Sequence, residues 1–321
     1  MTMRAFPAES WAKPPFFSSG NLLADRRYHY AMGLVARGER VGAIDLLAQA
    51  LALAPGFASA WFALGDLLAQ AGDRAGAATA FQAAGAADPE DRAGAALRLA
   101  QLGGSVPVTR MPSGYVRTLF DQYAADFEAA LVERLAYRGP ALLRAAVERT
   151  CARQHGTLRF AAMLDLGCGT GLAGETFRAN VGHLTGVDVS PAMVARARGK
   201  NIYDRLETGD LLRFLAGEVE RGQSYDLILA ADVFPYFADL APVVWAAAGA
   251  LAGNGVFAFT TETHPGDGVV LGDKLRFSHG APHVRAAVSR AGLACLDIRD
   301  SWARKEADVP VSGLVVVCRR T

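Results

Sequence analysis

The run Met163-Leu-Asp165-Leu-Gly167-Cys-Gly169-Thr-Gly171 constrains this chain more than any other stretch. An apolar strand that passes into a turn with glycine at alternate positions, and then into a helical segment from Leu172 to Asn180, is the opening of a βα unit. Glycine permits a tight turn and lets a ligand touch the backbone, and the turn's amides can hold a carboxylate. Ligands of open α/β sheets bind at this strand end. Asp165 adds a carboxyl group beside the turn, which suits a ligand carrying an ammonium group. A dinucleotide would bring its negative pyrophosphate to the same place. The spacing Gly169-x-Gly171-x-x-Gly174 is nonetheless a literal dinucleotide fingerprint, with Asp188 near the distance of a ribose-binding acid. A NAD(P)-dependent oxidoreductase is therefore the alternative this stretch leaves open.

Apolar runs at 161–164, 184–187, 225–230, 255–260, 294–298 and 314–318 alternate with helical segments, and a shorter strand near Leu206 completes seven. The pattern predicts a doubly wound, mostly parallel α/β sheet covered on both faces. Only loop sequence, Asp300 to Ser312, separates the last two runs, which predicts an antiparallel pair. Further acids stand at strand ends. Asp188 precedes Ser190-Pro191, a helix N-cap and first turn, and can grip two ribose hydroxyls. Asp210 follows Glu207-Thr-Gly, and Ala231-Asp232-Val-Phe-Pro-Tyr236 follows the fourth strand. Any one of these acids could equally be a helix cap or a turn residue. Four elements in the right order on one sheet edge favour a ligand site.

The N-terminal part is built differently. Residues 24–103 are helix-forming, and Leu34, Ala43, Leu47, Ala50 and Pro55 recur 34 positions later as Leu68, Ala77, Phe81, Ala84 and Pro89. That period predicts stacked helical hairpins. With Trp61-x-x-Leu64-Gly65, the second copy resembles the tetratricopeptide repeat; the first has Ala31 where glycine is expected. Arg92 to Leu102 reads as a capping helix, and small residues let paired helices approach closely. Such a module serves as a partner-binding groove, or as a packing collar or dimerisation surface. The expected organisation is an arm at 1–23, the repeats at 24–103, a breaker-rich linker at 104–114, and a catalytic domain at 115–321 whose helical lid, 115–157, precedes an α/β core at 158–321.

Composition narrows the function classes. A formal charge of +1 provides no long-range field for nucleic acid, and no run reaches the ~18 apolar residues of a membrane span. The start lacks a basic region followed by an apolar one, so no signal peptide is expected. Cys151, Cys168, Cys295 and Cys318 match no metal pattern, and a reducing, cytoplasmic setting with no metal site is expected.

On the full pattern Asp-x-Gly-x-Gly-x-Gly at 165–171, the chain from about Tyr115 to Thr321 resembles the class I S-adenosylmethionine methyltransferases, more narrowly the bacterial predicted methyltransferases that carry tetratricopeptide repeats. The resemblance implies a Rossmann-like sheet, S-adenosylmethionine as cofactor and methyl transfer as activity. It implies that Asp165, Gly167, Gly169 and Gly171 hold the methionine part, Asp188 the ribose, and Asp210 with the Leu211 amide the adenine, against which Val189 packs. It puts Ala231 near the sulfonium and makes the Tyr115–Phe127 helix a lid closed by Tyr123 and Tyr115.

An acceptor that must lose a proton needs a base. The candidates are His279, ranked first because a comparable segment borders the site in the repeat-bearing methyltransferases, then His264, then Asp232, with Glu262 beside them. A lone loop histidine is, however, more often a cap than a catalyst. Phe234 to Phe237 are expected to line the pocket of a small-molecule or peptide acceptor. A repeat adaptor whose α/β domain has lost activity is the remaining alternative.

Overall fold

The computed structural model describes residues 16–103, 108–124, 127–128, 135–153, 158–272 and 274–320. Two compact units divide between Thr118 and Leu119.

The first unit holds α1 (Leu22–Ala36), α2 (Arg40–Leu53), α3 (Ala58–Gln70), α4 (Arg74–Ala87) and α5 (Ala95–Gln101). Left-handed Gly38 and Gly72, 34 residues apart, end α1 and α3 at equivalent points, where a residue without Cβ terminates a helix most readily. Asn21 caps α1 by accepting from the Leu23 and Ala24 amides. Just before it, Phe16 packs on Tyr28, His29 and Phe57, so this end of the expected arm belongs to the repeats.

The weak first copy has a packing reason. A Cβ on Gly65 would stand 2.7 Å from the Phe81 ring. The equivalent pair one repeat earlier is Ala31 and Leu47, both fully buried. A leucine leaves room for the alanine methyl; a phenylalanine does not.

The helix α6 (Ser113–Tyr123) crosses the unit boundary. Its first turn packs with the repeats: Tyr115 lies against Gly94, a Cβ on Gly114 would meet the Glu90 carbonyl, and Arg117 bonds Glu90 at 2.8 Å.

The second unit continues with α7 (Gly139–Arg153), β1 (Phe160–Leu166), α8 (Leu172–Phe177), β2 (Val181–Asp188), α9 (Pro191–Gly199), β3 (Arg205–Thr208), α10 (Leu211–Glu220), β4 (Tyr225–Ala230) and α11 (Ala241–Ala250). Then follow β5 (Leu251–Glu262), β6 (Val269–Leu271), β7 (Phe277–His279), α12 (Ala281–Arg290), β8 (Leu293–Glu306) and β9 (Val309–Arg320). Strands β3, β2, β1, β4 and β5 lie parallel in that order. β9 joins β5 antiparallel and carries β8. Helices α10, α11 and α12 cover one face, over Leu164, Leu166 and Ile228. Helices α7 and α8 cover the other, over Met163, Leu227 and Leu229. The doubly wound α/β sheet is therefore as expected, with β6 and β7 as short additions.

One expectation is corrected. Residues 300–312 are not a loop: β8 and β9 pair as far as Glu306 and Val309, and only Ala307 and Asp308 turn between them. Both turn residues have positive φ, 47° and 63°, the backbone twist that a tight hairpin requires. Glycine usually supplies that twist, and its absence hid the turn from sequence reading.

Gly65→Ala is expected to destabilise the repeats by about 1–3 kcal/mol, the range for overpacking a filled core. Gly65→Ala with Phe81→Leu should recover most of that loss by recreating the first-copy pair. Denaturant melts of the two variants check this.

Candidate active site

β1 delivers Asp165, fully buried, to the edge where Gly167, Gly169 and Gly171 take left-handed φ of 73°, 53° and 96°. Each glycine has its own reason. A Cβ on Gly167 would strike Val233 at 2.5 Å, and one on Gly171 would press on Tyr203 at 3.1 Å. Among the described residues, a Cβ on Gly169 would meet only Phe127, at 4.0 Å.

Asp188 ties this turn to the next strand. Its carboxylate accepts from the Gly169 and Ser190 amides, both at 2.9 Å, and its carbonyl accepts from the Gly209 amide. The third acid, Asp210, is thereby drawn to the same edge. There it caps α10, accepting from the Leu212 and Arg213 amides at 3.1 and 3.2 Å. Val189 and Leu211 are half-buried beside these acids in sequence. Ala231, also half-buried, follows β4.

Burial pushes both Asp165 and Asp188 up to about 6. For Asp165, the Tyr203 hydroxyl and the Gly174 amide oppose the rise and the Asp188 charge adds to it. For Asp188, the amides of Ser190 and Gly169 oppose it and Asp121 adds to it. Neither carboxylate has an ion-pair partner among the described residues, and Asp165 Oδ1 is buried without a hydrogen bond. An orphaned acidic oxygen behind a glycine turn fits a group that brings positive charge, such as the ammonium and sulfonium of S-adenosylmethionine. It does not fit a pyrophosphate.

The segment expected as a lid carries aromatic side chains. Phe120 packs edge-on against Phe127 at 5.8 Å and against Tyr236 at 5.5 Å. Asp121, one residue on, accepts from the Ser190 hydroxyl at 2.6 Å and the Ala192 amide at 3.3 Å, fastening this helix to the start of α9. Tyr123 is half-buried at the end of α6. Tyr115 packs against Gly94 of the repeats.

Beyond β4 the charges are matched. Asp232 stands in the left-handed region, φ 61°, with its amide held by Thr260 Oγ1 at 2.9 Å. A non-glycine residue there stores strain that the surroundings must hold. Arg304, almost fully buried, pairs with Asp232 and Glu262. Arg276 pairs with Glu262 at 2.7 Å and with Glu306, which also takes Lys274. Arg304 reaches inward from a bulge in β8 between Trp302 and Lys305, a device that re-aims a side chain next to a site. Residues 135–138 close the other side of β8, with Lys305 N bonded to Leu135 O and Arg138 N to Ala303 O. Tyr137 stands between those two bonds. Its phenol is raised by burial and by the Asp232 charge, and that of Tyr236 likewise.

The histidines have other duties. His279 is fully buried in β7; its Nε2 donates to the Phe237 carbonyl and its Nδ1 accepts from the Thr261 hydroxyl, both at 2.8 Å. Burial lowers it to about 4, so it is neutral and both nitrogens are occupied. His264 organises its own turn, accepting from the Gly266 amide and donating to the Gly268 carbonyl. Neither is presented as a base, and the expectation that ranked them first is set aside. Asp232 alone of the three candidates adjoins the glycine turn, through Val233 against Gly167. Sequence reading missed Asp121, Tyr137, Tyr203 and Arg304. None lies in a motif, and Arg304 fell in the supposed loop.

Asp165 and Asp188 titrate near 6 in the fold against 3.8 when unfolded. The folded chain therefore takes up protons first, so these groups add stability as pH falls from 7 towards 4. Asp165→Asn should flatten that dependence in thermal melts. Arg304→Met, which strands Asp232 and leaves Glu262 to Arg276 alone, is expected to lose about 3–5 kcal/mol in denaturant titrations.

No helix of the described residues is long and apolar enough to cross a membrane. A methyltransferase-domain family model matches residues 164–257, and a tetratricopeptide-repeat model matches residues 34–102. A malonyl-[acyl-carrier protein] O-methyltransferase of Acetivibrio thermocellus is 33% identical over 104 residues, 32% of this chain and 36% of that protein. Human methyltransferase-like protein 27 is 38% identical over 88 residues, 27% of this chain and 34% of that protein. The chain thus spans about a third of the length of the curated relatives it matches. Magnesium protoporphyrin IX methyltransferase from Synechocystis PCC 6803, solved with bound SAH, aligns at a TM-score of 0.49 and 15% identity over 65% of this chain and 99% of that one. Residues 164–257 of this chain are thus similar to a methyltransferase domain, and they follow a stretch similar to the tetratricopeptide repeat over residues 34–102.

Proposed function

We propose that the chain is an S-adenosylmethionine-dependent methyltransferase whose cofactor cradle is Asp165, Gly167, Gly169, Gly171 and Asp188. One observation carries the reading: two buried carboxylates flank a glycine turn with no ion-pair partner among the described residues. A ligand with its own positive charge relieves that cost, and a dinucleotide increases it. The third glycine of the dinucleotide spacing has a separate explanation, since a Cβ on Gly174 would stand 2.4 Å from the Tyr203 hydroxyl.

In this reading Asp165 and the turn take the methionine part and Asp188 the ribose. Val189 and the Asp210–Leu211 start of α10 take the adenine, with Asp210 serving also as the helix cap. When bound, S-adenosylmethionine supplies a methyl group already activated by its sulfonium. The chain's task is then to align a nucleophile and keep water out. Ala231 borders the reacting end, and Phe120, Phe127, Tyr236 and Tyr123 form an aromatic cover. Asp232, steadied by Arg304, takes the acceptor's proton where the acceptor has one to lose. The acceptor is a small molecule or a peptide, and the repeats recognise a partner or self-associate. The setting is cytoplasmic, where four unpaired cysteines stay reduced.

Titration calorimetry of the full chain with S-adenosylhomocysteine tests the reading. Binding is expected at pH 7, and Asp188→Ala should weaken it by about ten- to a hundredfold, the loss of hydrogen bonds to a charged group. Protection by NAD instead, seen as a higher melting temperature, would overturn the assignment.

A further inference from the structure

Tyr203 lies between α9 and β3, in no recognised motif, yet its ring occupies a slot cut from three separate elements. Added Cβ atoms on Gly171 in the turn, Gly174 in α8 and Gly186 in β2 would stand 3.1, 2.4 and 2.7 Å from its ring or hydroxyl. Glycines from three elements thus border one side chain, although Gly171 also takes a left-handed φ and Gly186 also faces Leu206. The slot ends at Asp165, where the Tyr203 hydroxyl donates to Oδ2 at 2.6 Å. This is the only side-chain hydrogen bond to Asp165 among the described residues.

We propose that Tyr203 is a positioning residue of the cofactor site: its hydroxyl holds the Asp165 carboxylate charged and in one orientation behind the glycine turn, leaving Oδ1 for the ligand. The inference rests on the reading of that turn as an S-adenosylmethionine site. Among the described residues, the titratable groups facing Asp165 are Asp188 from β2, the Cys168 thiol in the turn, and the phenols of Tyr137 and Tyr203. None of them is a cation. Asp188 and burial both oppose ionisation of Asp165, and Tyr203 is the side chain that favours it. Burial and the Asp165 charge push the Tyr203 phenol far upward, so it remains a donor wherever the protein is folded. Phenylalanine fits the same slot and removes only the donor.

The test is calorimetry with S-adenosylhomocysteine from pH 5 to 8 on the full chain, Tyr203→Phe, Asp165→Asn and the double variant. If only ionised Asp165 binds, affinity of the unsubstituted chain falls about tenfold between pH 7 and 5. Tyr203→Phe should weaken binding at pH 7 by about tenfold or more and move the acid limb to higher pH, which a purely packing role would not do. The double variant should bind no worse than Asp165→Asn alone, because Tyr203 acts through that carboxylate. Unchanged affinity and an unmoved limb in Tyr203→Phe, or losses that multiply in the double variant, overturn the proposal. Should the unsubstituted chain not bind at all, the cofactor reading falls and the positioning role falls with it. The pH profile of melting then decides the contact itself, which identical profiles for the chain and Tyr203→Phe would refute.

Discussion

The carboxylate of Asp188 is the knot on which this site depends. It accepts from the amide of Gly169 in the turn after β1 and from the amide of Ser190 at the start of α9, while its carbonyl holds Gly209 after β3. Three strand ends are thereby drawn to one point. Ser190 extends the connection to Asp121, which fastens the aromatic helix end that carries Phe120. Only a short acidic side chain can do this, because two backbone amides must converge on one carboxylate within hydrogen-bonding distance of their own strands. The arrangement buries two acids, Asp165 and Asp188, with the Asp188 charge raising Asp165 and the Asp121 charge raising Asp188. That is a standing electrostatic cost, localised where a positively charged ligand can remove it.

The far side of the sheet edge follows the opposite rule. Asp232, Glu262 and Glu306 are matched by Arg304, Arg276 and Lys274. Buried ions so paired add little net stability but hold a single geometry. Here the geometry includes a left-handed Asp232, a bulge in β8 and a two-residue turn without glycine. The arginine fork of Arg304 grips Asp232 and Glu262 together, which a lysine could not reproduce because it has no second arm. One side of the site is left short of positive charge, and the other is complete. In the function proposed above, the unmatched side would take the cationic cofactor and the matched side the acceptor.

Much of this was legible beforehand because it depends on local order in the chain. The alternation of apolar runs with helical segments specified a doubly wound sheet, and the period of 34 specified paired helices. Asp165 and its glycines could be found because strand, turn and helix are contiguous. Asp210 could be placed at the edge, though its hydrogen bonds are those of a helix cap. The histidines could be weighed only as cap against catalyst: β7 buries His279, and two neighbours from distant elements occupy both nitrogens.

Sequence by itself determined the two kinds of unit, the order of the strands' carboxyl ends and the glycine turn, since each is written in neighbouring residues whose spacing sets local geometry. Tertiary structure alone decided which polar groups meet. Tyr203 reaches Asp165 from 38 positions away, and Arg304 reaches Asp232 from 72. Even the choice between Ala31 and Gly65 at equivalent repeat positions was settled by the partner across the hairpin, leucine in one case and phenylalanine in the other. The physical reason is the same throughout: periodicity fixes which face a residue occupies, but the volume and charge it must tolerate come from side chains that only folding brings into contact.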